Sequence, residues 1–255
     1  MSDREGAKGA GGATKVTTFL SAAEVEAGKV EGATAVVIDV IRATSTIVEA
    51  LAAGARAVYP TVSSEEAVRL ANSLGRDDTL LTGERKGLMI DGFDLGNSPL
   101  EFTPERVGGM RLVMTTTNGT RAFVAADGAS KVIAASLANL SAVARAVVAA
   151  DRLVFICAGK EDRFSLDDSM CAGLVLRALG KLRKGPPMEL DDASQAVRAL
   201  AGAFRVDADF LATTAAGKAL VEVGLGPDLE HCARIDRHDL VPEMHDRMIH
   251  LPDGA

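Results

Sequence analysis

At 255 residues, 47% of them hydrophobic and 25% charged, the chain can bury a sizeable core and is too apolar to be a disordered polymer. Its net charge of -7 argues against a nucleic-acid backbone as the main partner, though an acidic protein can still bind anions through local donors or a metal. No apolar run approaches the roughly 20 residues that span a bilayer, so no membrane partner is expected.

Taken in chain order, residues 1–15 are rich in Gly and Ala, lack the apolar stretch of a signal peptide, and read as a disordered tail ahead of a single α/β domain over residues 16–255. From Ala35 to about Gly180, short aliphatic runs alternate with amphipathic segments. The runs predict strands at Ala35–Val40, Ala55–Tyr59, Thr79–Leu81, Arg111–Thr115, Lys131–Ala134 and Leu153–Cys157, apolar enough to be covered on both faces. Between them, Ser63 with Glu66 reads as a capping box closed by Gly75, Thr103–Pro104 as an N-cap and first position, and Ser165 with Asp167 and Asp168 as a helix start. The pattern predicts a three-layer α/β/α sandwich with a mainly parallel sheet, followed past the short linker at 181–187 by a mostly helical C-terminal part. One segment, Gly83–Phe102, has no period, and long irregular loops in compact domains usually carry function.

Ligands of open parallel sheets bind beyond the carboxyl ends of the strands. Three such ends are unusual: "VIDVIRATST" supplies Asp39, Arg42, Thr44, Ser45 and Thr46; "TTTNGTR" supplies Thr117, Asn118, Gly119, Thr120 and Arg121; and "CAGKED" supplies Glu161 and Asp162. All three are expected on one edge of the sheet. Hydroxyls and an Arg fork at the start of a helix make an anion site, although the same Ser and Thr residues also serve as plain N-caps. Asn97 and Ser98 of the irregular loop join these substrate-binding candidates. Asp39, Arg42 and Glu84 are the catalytic candidates, and Asp39, Asp94, Glu161 and Asp162 the candidates for holding Mg²⁺, which takes one or two carboxylates plus water and phosphate oxygens. Asp39 stands apart from the other acids because it follows Val36-Val37-Ile38, where a bare carboxylate is costly.

Cys157 and Arg163 have the spacing of a cysteine-dependent phosphatase loop, but Glu161 and Asp162 would repel a phosphate inside it and Phe155-Ile156 suggest a buried thiol. Cys157, Cys171 and Cys232 are odd in number and far apart, as free thiols of a reducing cytoplasm are. His231, His238, His245 and His250 read as surface residues.

Together, "VIDVIRATSTIVEAL", "GERKGLMIDGFDLGNSPLEF", "TTTNGTRA" and "ICAGKED…DDSMCAGLVL" resemble the 2-phosphosulfolactate phosphatases, with the likeness spanning about Ala35 to Pro242. The resemblance implies an α/β/α sandwich and Mg²⁺-dependent hydrolysis of phosphosulfolactate to sulfolactate and phosphate, a step of coenzyme M biosynthesis in methanogens. The implied partner is a small anionic phosphoester. A homodimer is left open, and so is a protein that binds a phosphorylated metabolite without turning it over.

Overall fold

The computed structural model describes residues 13–252. Met1–Gly12 of the tail read from the sequence lie outside them, and at Lys15 the chain already enters the first strand. In order, the elements are β1 (Lys15–Phe19), β2 (Thr34–Ile38), α1 (Ala43–Ala52), β3 (Ala57–Thr61), α2 (Ser64–Leu74), β4 (Thr79–Arg85), β5 (Leu88–Met89), α3 (Pro104–Val107), β6 (Arg111–Thr115) and α4 (Gly119–Ala125). They continue with β7 (Lys131–Ala135), α5 (Leu140–Ala146), β8 (Arg152–Cys157), α6 (Leu166–Leu182), β9 (Glu189–Leu190), α7 (Asp192–Ala203), α8 (Ala208–Thr213), α9 (Ala215–Glu222), α10 (Pro227–Cys232), β10 (Glu243–His245) and β11 (Met248–His250).

The strands form one sheet in the order β5-β4-β6-β3-β11-β10-β7-β2-β8-β1-β9. Two parallel groups, β4-β6-β3 and β7-β2-β8-β1-β9, are joined by the antiparallel hairpin β10–β11. Three antiparallel steps in a row make the two groups run in opposite directions, so the strand ends do not share the single straight edge expected from the sequence. Helices α1 and α4, one from each group, bring them together instead. At the start of α4, a side chain on Gly119 would collide with Ala43 of α1 and come within 2.6 Å of Asp39 Oδ2, so only glycine lets the two helix starts approach this closely.

Alternation within single strands explains their continuous apolar sequence. Val36 and Ile38 of β2 enter one core with α5, α6 and α7, while Ala35 and Val37 enter a second with α1 and α4. Leu153, Phe155 and Cys157 of β8 divide from Val154 and Ile156 in the same way. Each fully buried aliphatic side chain contributes about 1.5–3 kcal/mol, so a strand covered on both faces gains at every position. The local signals act as their chemistry dictates. Ser63 accepts from Glu66 N–H at 3.1 Å, Glu66 returns its carboxylate to Val62 N–H at 3.0 Å, and Gly75 closes α2 at φ 94°. Two parts of the sheet carry no such signal. β1 (KVTTF) and the three-residue strands of the hairpin are too short or too polar to announce themselves.

Helices α6 and α7 pack tightly because Gly173 has no side chain: a Cβ there would collide with the Val197 carbonyl and crowd Ala201 at 2.8 Å. Gly173→Ala is therefore expected to destabilise the protein by about 2–3 kcal/mol, a drop in Tm of about 5–10 °C. Thermal melting checks it, and a melting point within a degree of the parent would mean that this helix pair can separate freely.

Candidate active site

The ends of β2, β4, β6 and β8 open into a cavity of about 330 Å³. Asp39, Ile41 and Arg42 line it from β2, Glu84, Lys86 and Gly87 from β4, Thr116, Thr117 and Asn118 from β6, and Gly159, Lys160 and Glu161 from β8. Ser165, Asp167 and Asp168 contribute from the start of α6 and Asn97 from the irregular loop, while α9 closes one side with Ala216, Ala219 and Leu220. Six acids against three bases line this space once Glu222 is included, an excess of negative charge whose inner members, Asp39, Glu84, Asp167 and Asp168, are buried.

The acids at its floor are held by backbone donors. Asp168 Oδ1 accepts from Val40 N–H at 2.8 Å and its Oδ2 from Gly159 N–H at 3.0 Å, which ties the ends of β2 and β8 to α6. Asp39 Oδ1 accepts from Ala43 N–H at 3.2 Å, so the start of α1 binds the chain's own carboxylate. Its Oδ2 has no hydrogen-bond donor among the described residues and stands against Gly119. Asp167 Oδ1 takes the Ser165 hydroxyl at 2.5 Å. Burial, then the neighbouring charge of Asp167, pushes the Asp39 carboxyl up to about 7 against the pull of the Ala43 N–H. Burial also raises Asp167, and burial together with the charges of Asp167 and Asp39 raises Asp168 well above the usual carboxylate range.

Several residues singled out in the sequence act differently from expectation. Arg42, expected at an exposed strand end, is buried: its Nη1 donates to Asp228 at 2.7 Å and its Nη2 to the Gly87 carbonyl at 2.6 Å, though it still borders the cavity. Both oxygens of Glu84 hold backbone, Oε1 taking Thr117 N–H at 2.7 Å and Oε2 taking Gly87 N–H at 2.8 Å. Thr44 and Ser45 turn their hydroxyls inward to the Asp39 and Val40 carbonyls, both at 2.8 Å, and Thr120 turns its own to Thr116 at 3.1 Å. Ser98 donates to Asp228 at 2.6 Å. Asp94 sits away from the cavity, accepting from Leu81 N–H at 2.7 Å and Arg76 at 2.8 Å. Arg121 and Asp162 pair at 3.1 Å on an exposed surface beside the cavity rather than in it. The structure thus brings Asp39, Arg42, Glu84, Asn97, Thr117, Asn118 and Glu161 together, with Gly119 against Asp39.

It also adds Lys160, Asp167 and Asp168 at the cavity and Asp228 behind Arg42. Two adjacent acids at the head of the apolar run Met170–Leu176 were the available signal for Asp167 and Asp168, since a first turn that leads into such a helix is itself buried. Nothing local marks Asp228, which lies 186 residues from its partner.

The donor set fits a hard divalent cation. Asp39 is a buried carboxylate crowded by the charge of Asp167, Asp167 is itself buried, and Asn97 Oδ1 is a buried oxygen without a partner among the described residues. Among those residues no three His, Cys, Asp or Glu side chains stand as a ready ligand group. A cation here would have one or two carboxylates, with substrate oxygens and water completing its shell, as Mg²⁺ prefers.

The cysteine alternative fails on geometry. Cys157 points into the core beside Cys171, and burial and then the Asp168 charge push its thiol well above the usual range, away from the nucleophilic thiolate. The surface reading of the histidines holds for exposed His245 and is corrected for the other three, His250 being half-buried. His231 is buried and His238 half-buried, each with Nε2 2.9 Å from Glu49 Oε2. Burial alone would raise Glu49, but these two contacts outweigh it and hold the carboxyl at about 2.

Comparison with known proteins agrees with this architecture. The family described as 2-phosphosulpholactate phosphatase matches residues 19–247. A relative in Symbiobacterium thermophilum, named a probable 2-phosphosulfolactate phosphatase, is 43% identical over 221 residues, 85% of this chain and 93% of the relative. Relatives of the same name are 40% identical over 216 residues in Caldanaerobacter subterraneus subsp. tengcongensis (84% and 88%) and 38% identical over 234 in Clostridium acetobutylicum (90% and 97%). With a match over most of its length and the strand-end motifs gathered around one acidic cavity, the chain belongs to the 2-phosphosulfolactate phosphatase family, a family of phosphoric monoester hydrolases.

Proposed function

We propose that this protein hydrolyses 2-phospho-3-sulfolactate to 3-sulfolactate and phosphate in a Mg²⁺-dependent reaction, within coenzyme M or related sulfonate metabolism of the cytoplasm. The observation that carries the metal requirement is the buried Asp39 beside Asp167, an acidic floor in a cavity that must accept a substrate with a phosphate, a sulfonate and a carboxylate on three carbons. Arg42 cannot offset that charge alone, because Asp228 already neutralises it.

Asp167, Asn97 and one oxygen of Asp39 would hold the cation. When bound, Mg²⁺ would offset the charge on the phosphate and draw electron density from phosphorus. The protein's own groups do the rest. Asp39, fixed by the Ala43 N–H, orients the attacking water and accepts its proton as the new bond to phosphorus forms. The bond from phosphorus to the lactate oxygen breaks, and that oxygen leaves with the electron pair and takes up a proton from solvent, to which Asp39 returns the one it accepted. Thr117 and Asn118 would border the phosphate from the β6 side, and the apolar side chains of α9 would limit water along their part of the wall.

Phosphate release from 2-phospho-3-sulfolactate should stop in excess EDTA and return with Mg²⁺, and full turnover in EDTA would overturn the metal requirement. Asp39→Asn should lower kcat at least about a hundredfold and, in Mg²⁺-free buffer at pH 8, raise Tm by about 3–8 °C. The sign follows from a carboxyl raised on folding: its penalty is absent below the ordinary value of 3.8 and grows as pH rises toward about 7. The advantage of the Asn variant should therefore vanish by pH 4, and an Asn variant no more stable than the parent at pH 8 contradicts the buried-charge account.

Arg42→Ala leaves Asp228 buried without its partner and should destabilise by about 3–5 kcal/mol. Because Arg42 also borders the cavity, the variant should lose kcat/KM about ten- to a hundredfold, and adding Asp228→Asn should recover part of the lost Tm but none of that activity. Recovery of both together would mean that Arg42 serves the fold alone. Cys157→Ser should keep most of the activity of the parent, and loss of turnover by several orders of magnitude in a folded variant would return the thiol to the mechanism.

A further inference from the structure

Among the three bases at the cavity, Lys160 differs from the other two. Arg42 is neutralised by Asp228 and Lys86 is exposed. Lys160 is half-buried, and its charge acts on the buried Asp167. Its one carboxylate partner among the described residues is Glu161 at 3.7 Å, and that side chain is 80% exposed, a contact that water screens.

The backbone that carries Lys160 is built at some expense. Lys160 and Arg163 exchange both backbone hydrogen bonds, N–H to carbonyl at 2.9 and 3.0 Å, around the two-residue turn Glu161-Asp162. Both turn residues adopt left-handed backbone, φ 52° and 61°, which this tightest of hairpin turns requires and which Asn and Gly adopt far more readily. Gly159 precedes them at φ 75° with its N–H on Asp168, and a side chain there would strike the Arg163 carbonyl and Ser21. Two unfavourable turn residues and a glycine that admits no replacement fix the one lysine at the carboxyl end of β8 toward the cavity. Backbone strain of this kind concentrates where a side chain must be aimed.

We propose that Lys160 is a further catalytic residue whose ammonium contacts the phosphoryl oxygens of the bound phosphoester and stabilises the charge they carry as the bond to the leaving oxygen breaks. This deepens the phosphatase reading above and rests on it for the identity of the substrate. Lys160 gives up no proton and forms no covalent bond. Its part is a fixed positive charge at the rim of the cavity, aimed at where the phosphoryl charge develops.

The alternative is that Lys160 does no more than offset Asp167. The two differ in the binding of inorganic phosphate, which a purely structural charge would leave unchanged. With Mg²⁺ saturating, Lys160→Met should lower kcat/KM for 2-phospho-3-sulfolactate about ten- to a hundredfold, weaken the Kd for inorganic phosphate by a similar factor, and leave Tm within a few degrees. Lys160→Arg, which keeps the charge with altered geometry, should recover part of both losses. Unchanged phosphate affinity in a folded Lys160→Met overturns the proposal whatever happens to turnover. Should that variant fail to fold, the same phosphate titration on Lys160→Gln decides. If the parent releases no phosphate from phosphosulfolactate yet loses phosphate affinity on substitution of Lys160, the substrate reading falls and the contact to phosphate stands.

Discussion

The cavity depends on the two hydrogen bonds that the Asp168 carboxylate accepts from Val40 and Gly159. They join the loop after β2 to the loop after β8 through the first turn of α6, and so fix the spacing of the two loops that face the cavity. A carboxylate with two backbone donors is a strong clamp. Here it stands next to Asp39 and Asp167 in the same water-poor space, so part of what the donors contribute is offset by like-charge repulsion. The protein holds this crowding with apolar packing on both sides of the sheet. A floor of buried acids is destabilising for a fold and useful for a site that binds a cation and an anion together.

The sequence showed the sheet where burial made its strands unmistakable. β2, β6, β7 and β8 were legible because residues covered on both faces must all be apolar, and Arg111–Thr115 was read to the residue. The hairpin β10–β11 was illegible because three-residue strands leave no period to detect, yet it decides that the two parallel groups run in opposite directions. Of the candidate site, Asp39, Asn97, Thr117, Asn118 and Glu161 could be found because the C-terminal ends of apolar strands and an irregular loop face the ligand side. Asp94 and Asp162 passed the same test and lie elsewhere, since proximity to a strand end does not say which way a side chain turns. Thr44, Ser45 and Thr120 show the other side of that rule: their hydroxyls satisfy carbonyls freed where a strand gives way to a helix.

Two Arg–Asp pairs close to the cavity show why burial rather than contact decides the weight of a charge. Arg121 and Asp162 meet at 3.1 Å with more than half of each side chain in water, where such a pair contributes about 0–1 kcal/mol. Arg42 and Asp228 meet at 2.7 Å with almost nothing exposed. That pair had to lose its hydration, so its net contribution is small even though breaking it by removing one partner is severe. Its value lies in uniqueness of arrangement: a buried guanidinium accepts few geometries, and Asp228, Gly87 and the cavity wall fix this one.

Asp228 also binds Ser98, so a short helix near the C-terminus holds both the start of α1 and the irregular loop. The same helix carries His231, which meets Glu49 farther along α1. α10 is thus fastened to α1 at two levels, once behind the cavity and once at half-buried Glu49. These contacts span 186 and 182 residues of chain, so closing them costs entropy that local contacts do not. The apolar wall of α9 precedes α10 by a few residues and comes into place with it. A cavity assembled this way has its acids positioned by the sheet and α6, but its arginine and its water-excluding wall positioned by the last helices of the chain.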